Sequence, residues 1–225
     1  MPGIVAAAVR NNAAWVDAVA RSHGVATRRD GRAWRADGPM PPFYPNLVTL
    51  DAKLDVPALV ADPPRGAAAG WGLKDSFAAL DLTPEGFVPA FDATWIACDA
   101  AWAGAGALRI ATPDGLARWT RGWGGTPEGA TIFLPALLAA PGVRFYAVQA
   151  AGVVEAGLAA LVDAEAAGYS NAFGPAAGIA ACLAALAAEA GGRPLVGYEG
   201  GPALAAMTGL GFRPLGPLRV WSRRP

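Results

Sequence analysis

The chain is short of the residues on which most hydrolytic and nucleic-acid chemistry depends. It has one histidine (His23), two cysteines (Cys98 and Cys182) and two lysines (Lys53 and Lys74) among 18 basic residues. Acidic residues also number 18, so no polyanion-binding surface is implied and no nucleic-acid partner is expected. A Ser-His-Asp or Cys-His triad would have to use His23, which lies beside Gly24 after the first helical segment and reads as a surface or helix-end histidine. The cysteines stand far apart in apolar runs and read as buried free thiols rather than a disulfide or metal pair. No metal site is expected. No apolar run is long enough to cross a bilayer, and no charged segment leads into an apolar one at the start. A soluble, cytoplasmic chain with no membrane partner is therefore expected.

Apolar residues are plentiful, at 54% of 225, enough for a sizeable core in one large domain or two small ones. Abundant alanine beside scarce lysine looks like a codon-composition bias, so alanine is discounted as a local helix signal. Periodicity predicts a helix over Ile4–Ser22 and a hairpin over Val25–Arg35 turning at Asp30-Gly31. Strands are expected at Asn46–Asp51, Gly72–Lys74 and Phe87–Cys98, with short helices at Val56–Ala61 and Ser76–Leu82. The small residues of Ala100–Ala107 mark a boundary, dividing the chain into domains 1–103 and 104–225. Beyond it come a strand at Leu108–Ala111, a helix capped by Thr112 with Pro113 at its first position, and a second helix at Glu128–Ala139. Strands Val143–Gln149, Val153–Asp163 and Ala167–Phe173 follow, the first two joined by a turn at Ala151-Gly152. The chain ends with a strand at Leu195–Tyr198, a helix at Pro202–Leu210 and a strand at Phe212–Trp221.

At an offset of 125 residues, Tyr44/Tyr169, Asn46/Asn171, Gly86/Gly211, Phe87/Phe212 and Pro89/Pro214 coincide. The first half reads as a degenerate copy of the second or as an accessory domain. It lacks the glycine-rich loop, since Leu50-Asp51-Ala52-Lys53 stands there.

The run Ser170-Asn171-Ala172-Phe173-Gly174-Pro175-Ala176-Ala177-Gly178-Ile179-Ala180, followed by helical Ala181–Ala190, carries the most information. A strand ending in small residues and opening into a helix presents unpaired N–H groups to an anion, and glycine and alanine let a pyrophosphate approach the backbone. A nucleotide-bearing cofactor is expected there.

The order of elements from Leu108 to Trp221 resembles the GNAT acyltransferase superfamily. The resemblance rests on Leu108-Arg109-Ile110 leading into the Thr112–Trp123 helix, the antiparallel strands turning at Ala151-Gly152, the Gly174–Ala180 loop, and Leu210-Gly211-Phe212 after a short helix. The family's loop has the form Gln/Arg-x-x-Gly-x-Gly/Ala. Pro175–Ala180 fits that form best and Asn171–Ala176 is the other register; neither has the leading Gln or Arg. The resemblance implies an α/β (α+β) fold with a mainly antiparallel sheet flanked by helices. It also implies acyl transfer from acetyl-CoA to a small-molecule or peptide amine, without a covalent enzyme intermediate, in a monomer or homodimer. Ser170, Asn171, Ala172 and Phe173 become cofactor-strand residues, and Gly174, Ala176, Ala177, Gly178, Ile179 and Ala180 the pyrophosphate loop. Two departures stand out. Gly200 stands where the family often has an asparagine touching the pantetheine arm, and Met207 where it often has a tyrosine that protonates the departing thiolate.

The candidate base is Glu199, which otherwise reads as a solvated turn carboxylate. Tyr198 is the candidate acid, with a packed strand tyrosine as its alternative; Tyr169 has the same status. Glu165 and Asp163 read as surface carboxylates at a strand turn. Trp119 and Trp123 share a helix face, to line an acceptor pocket or pack the core. Met40–Pro45 covers a groove or is edge structure. The basic group Arg28, Arg29, Arg32 and Arg35 contacts the cofactor's phosphates or is an exposed hairpin. Two rival readings are a CoA-binding module without turnover and a doubly wound nucleotide-binding protein.

Overall fold

The computed structural model describes residues 2–61, 63, 65, 70–99, 102, 106–124 and 131–223. In chain order the elements are α1 (Pro2–Ser22), β1 (Thr27–Arg29), β2 (Ala33–Ala36), β3 (Leu47–Thr49), α2 (Val56–Val60), β4 (Trp71–Asp75) and β5 (Val88–Cys98). Then follow β6 (Ala107–Arg109), α3 (Pro113–Gly124), β7 (Val143–Ala150), β8 (Val153–Val162), β9 (Ala167–Phe173), α4 (Ala176–Ala190), β10 (Leu195–Glu199), α5 (Gly201–Gly209) and β11 (Arg213–Arg223).

All the strands among the described residues form one sheet in the order β1-β2-β3-β4-β11-β5-β10-β9-β8-β7-β6. Only β3–β4 and β9–β10 run parallel, so the fold is mixed α/β and mainly antiparallel, not doubly wound. The point 103/104 does not separate two sheets. β5, from before it, lies between β10 and β11; β11, from after it, lies between β4 and β5. Outward from the β5–β11 pair the pattern is the same on both sides: an antiparallel neighbour, then a parallel strand, then a hairpin.

The helices cover both faces. α1 and α3 pack on one, around Trp15, Trp119, Phe133 and Phe145. α4 and α5 pack on the other, around Leu158, Leu183, Leu186, Met207 and Phe212. Side chains alternate across a strand, so Val48 faces the α1 side while Leu47 joins α2 and Leu59 on the opposite one.

Most expected elements are present, and the exceptions have local causes. Ser76–Leu82 is not helical, because the Asp75 carboxylate accepts from the Phe77 and Leu80 N–H groups and Ala78 takes φ +49°. That pattern is a side-chain-closed turn. Of the helix expected over 128–139, residues 128–130 lie outside the described ones. In the rest, Pro135–Ala139 is a 3-10 helix and not an α-helix, behind an extended Leu134, the conformation proline imposes on its predecessor. The boundary segment around 100–105 is described only at Trp102. α4 begins five residues earlier than expected, leaving Gly174-Pro175 as the whole loop. Both cysteines are buried and free. No helix among the described residues is long and apolar enough to cross a membrane.

Candidate functional site

The site grows from a flaw in the sheet. β9 and β10 pair at Ala167–Leu195 and Gly168–Val196 and nowhere beyond. From Tyr169 and Gly197 onward they diverge. The cause lies partly in β9, which carries a β-bulge. Gly157 faces Phe173 and Ala159 faces Ser170, so Asn171 and Ala172 together oppose Leu158, and Asn171 takes φ +55°. A bulge bends its strand and re-aims side chains. Here it turns Asn171 toward α1, where its Oδ1 accepts from the Tyr44 hydroxyl at 3.1 Å, which in turn accepts from Trp15 Nε1.

The end of β9 leads straight into α4. Gly174 has φ +97°, and a Cβ there would strike the Glu155 carbonyl and Ala156, so the chain crosses β8 at contact distance and only glycine fits. Gly174 to Ala177 are exposed. The Ala176 and Ala177 N–H groups sit in the first turn of α4, where no intrahelical acceptor exists. Gly178 and Ile179 differ: both donate to the Pro175 carbonyl, at 2.9 and 3.0 Å. Gly178 is buried, and a Cβ on it would meet the Ala156 Cβ at 2.5 Å. Gly178, Ile179 and Ala180 therefore belong to the body of α4, and Gly178 sets its close approach to β8.

Successive residues of β10 project to opposite faces. Tyr198 points to the α1 side, edge-on to Trp95, and joins Ser170, Asn171, Asn12, Trp15, Tyr44 and Lys74 around a cleft of about 60 Å³. Lys74 Nζ donates to Asn12 Oδ1 at 2.8 Å and to the Tyr198 hydroxyl at 3.1 Å. Glu199 points to the α4 side, where its Oε1 accepts from the Tyr169 hydroxyl at 3.1 Å. Burial raises the Glu199 pKa above the usual carboxylate range, only partly offset by that hydrogen bond. Burial and the neighbouring Glu199 charge push Tyr169 well up as well. The Tyr169 ring lies against Gly197, where any side chain would collide with it.

Other candidates fall elsewhere. Glu165 pairs with Arg10, and Asp163 holds Asn11, at the far end of β9 from the divergence. Trp119 is fully buried, its Nε1 donating to the Tyr146 carbonyl; it is core. Trp123 is half-buried between Phe43 and Phe133. The basic hairpin forms the edge strand β1 and its neighbour, with Arg28 paired to Asp37, across the sheet from α4. His23 Nε2 meets the Ile132 carbonyl at 2.9 Å. The segment Pro39–Asn46 does line a groove, of about 540 Å³, together with Trp71, Phe91 and Trp221. It shares Phe43, Tyr44, Pro45, Phe91 and Val220 with the smaller cleft.

The two departures acquire physical reasons. Met207 is buried in the α4–α5 core, where its thioether packs and has no proton to give. At Gly200 a Cβ would stand 2.9 Å from the Asp92 carbonyl of β5, so that position is closed to an asparagine. Lys74 was missed by sequence reasoning. Its signal was a lysine inside a short strand, beside Leu73, in a chain with only two.

The arrangement of elements as a whole superposes on known structures. A GCN5-related N-acetyltransferase from Kribbella flavida superposes with a TM-score of 0.67 at 14% identity, covering 100% of this chain and 97% of that one. The fold is GNAT-like. A GNAT-family protein from Novosphingobium aromaticivorans DSM 12444 gives a TM-score of 0.59 at 16% identity over 88% and 91% of the two chains. A conserved protein of unknown function from Staphylococcus epidermidis ATCC 12228 gives 0.63 at 8%, over 88% and 92%. No family model and no curated protein matches the sequence. The GNAT-like fold covers the whole chain, including the half for which the sequence suggested only a degenerate copy.

Proposed function

We propose that the chain is an acyl-CoA-dependent N-acyltransferase, transferring an acetyl group from acetyl-CoA to an amine. The observation that carries this reading is the divergence of β9 from β10 directly beside the exposed start of α4. Backbone edges left unpaired in the middle of a sheet are costly unless something else bonds them. A peptide-like pantetheine arm has the donors and acceptors to do so, and N–H groups at a helix start suit a pyrophosphate. Ser170, Asn171, Ala172 and Phe173 would flank the arm, and Gly174, Ala176 and Ala177 would meet the phosphates. Bound acetyl-CoA supplies a reactive thioester.

The chain's own groups hold the acceptor and move its protons. Asn171 and Tyr198 face the cleft from the two diverging strands. The Tyr198 oxygen accepts from Lys74, which leaves its own O–H free to donate into the cleft, the placement a general acid needs. The Glu199 carboxylate, held by Tyr169 on the other face of β10, is the proposed base; it would take the amine's proton through a water in the gap between the parted strands, not by direct contact. The two halves of the chain are further proposed to be duplicates whose final strands, β5 and β11, have exchanged places.

Thermal shift tests the reading. At a hundredfold excess over Kd, a ligand adds about 2.7 kcal/mol, roughly 5–10 °C for a chain of this size. Acetyl-CoA and CoA should give that shift and NAD and ATP should not; equal shifts with all four would refute it. Closed Gly200 and buried Met207 favour a second reading, a CoA-binding module without turnover. Release of free thiol across a panel of amines separates the two.

A further inference from the structure

The cleft contains a buried cation that no carboxylate of the described residues pairs with. Lys74 is only 3% exposed. Its Nζ bonds two neutral oxygens and lies 4.2 Å from the centre of the Tyr198 ring. Among the described residues no carboxylate pairs with it. Asp75, the next residue, alternates to the other side of β4 and spends its oxygens on Phe77 and Leu80. Asp92 pairs with Arg219, and Glu199 projects from the opposite face toward Tyr169. Burying an ammonium costs several kcal/mol unless an opposite charge offsets it, and a ring face returns only part of that. Two of its three protons are used.

The volumes add a constraint. About 60 Å³ accommodates roughly four to six water-sized groups, matching the five heavy atoms of an amino-carboxylate head. A larger substituent must leave through the aromatic groove that opens from the cleft past Phe43, Tyr44 and Phe91.

We propose that Lys74 binds the carboxylate of the acceptor, which is a free α-amino acid with an apolar side chain. The amine then sits between Asn171 and Tyr198 while the side chain lies in the groove. This rests on the acyl-transfer reading and narrows its amine to one class, excluding peptide N-termini, whose α-carboxyl is an amide.

Calorimetry in the presence of CoA tests it, using L-leucine, L-methionine, L-phenylalanine and L-tryptophan against the corresponding amides. Each amide keeps the shape of its acid and loses the charge. At least one acid should bind roughly 30-fold or more tightly than its amide, the loss expected when one partner of a buried charge pair is removed. In Lys74→Met that preference should fall to within about threefold. If no acid outbinds its amide in the wild-type chain, or if Lys74→Met keeps the preference, the inference is overturned. The wild-type comparison needs no variant to fold. Acetyl-CoA stabilisation, read on the same preparation, separates failure of this inference from failure of the acyl-transfer reading.

Discussion

Glu199 and Tyr198 are adjacent in sequence but work on opposite sides of β10, because a strand alternates its side chains. Their expected signatures differ accordingly. Burial holds the Glu199 pKa above 4.5. A base must be ionised, so kcat/KM should fall as pH drops through that raised value. Glu199→Gln should remove this acid limb and lower kcat by about 100-fold or more, with acetyl-CoA stabilisation kept. The stability effect has the opposite sign. A carboxyl whose pKa is raised by folding favours the folded state only while protonated, and that contribution is lost as pH rises through the folded value. Glu199→Gln should therefore melt higher than the wild-type chain at pH 8. An unchanged pH profile would remove Glu199 from the proton path. Tyr198→Phe should lower kcat and leave acetyl-CoA stabilisation intact; an unchanged kcat would leave the hydroxyl without a chemical role. Tyr198 and Glu199 were legible as candidates because both end a strand near a glycine-rich junction. Their separation onto two faces, and the join of Lys74 to Tyr198 from 124 positions away, were not, since neither has a local signal.

At the scale of elements, α4 shows what composition hides. Discounting alanine placed residues 174–180 in a loop, whereas the helix already runs from Ala176. Substituting Gly178 with a bulky acid would therefore damage packing on Ala156 and say little about an anion site. Ala177→Glu is the informative change, because position 177 is exposed in the first turn. A carboxylate there interacts favourably with the helix dipole, worth about 0.3–1 kcal/mol, and repels a pyrophosphate. The variant should melt slightly higher than wild type without ligand and lose the acetyl-CoA shift. An undiminished shift would move the phosphate site elsewhere. The turns at Asp30-Gly31 and Ala151-Gly152 were readable because their backbones depend on nearby residue types: Asp30 accepts from Arg32 and Ala33 N–H groups, and Ala151 and Gly152 both take positive φ. The Ser76–Leu82 segment misled because its apolar spacing suits a helix while Asp75, just before it, closes a turn.

For the whole molecule, the unexpected feature is the interleaving of the two halves. β5 and β11 span Val88–Cys98 and Arg213–Arg223, in step with the 125-residue offset read from Gly86-Phe87 and Gly211-Phe212. Earlier matches such as Asn46/Asn171 are out of step. Leu47 pairs with Leu73 as Ala167 pairs with Leu195, which places residue 47 opposite 167 rather than 172. Long-range pairing leaves no periodic trace in either partner, so the central position of β5 could not be read from its sequence. Its consequence is testable. Residues 104–225 expressed alone would leave the edges of β10 and β11 without the strand between them, and unpaired edges promote aggregation. That fragment should be insoluble or lack a cooperative melting transition; a sharp transition would show that the second half is self-sufficient. Hydrogen exchange with and without acetyl-CoA bears most directly on the acyl-transfer site. New protection should be confined to backbone amides of Tyr169–Ala177 and Gly197–Gly201, where two strands part and a helix begins. Protection absent there, or concentrated along the Pro39–Asn46 groove instead, would contradict it.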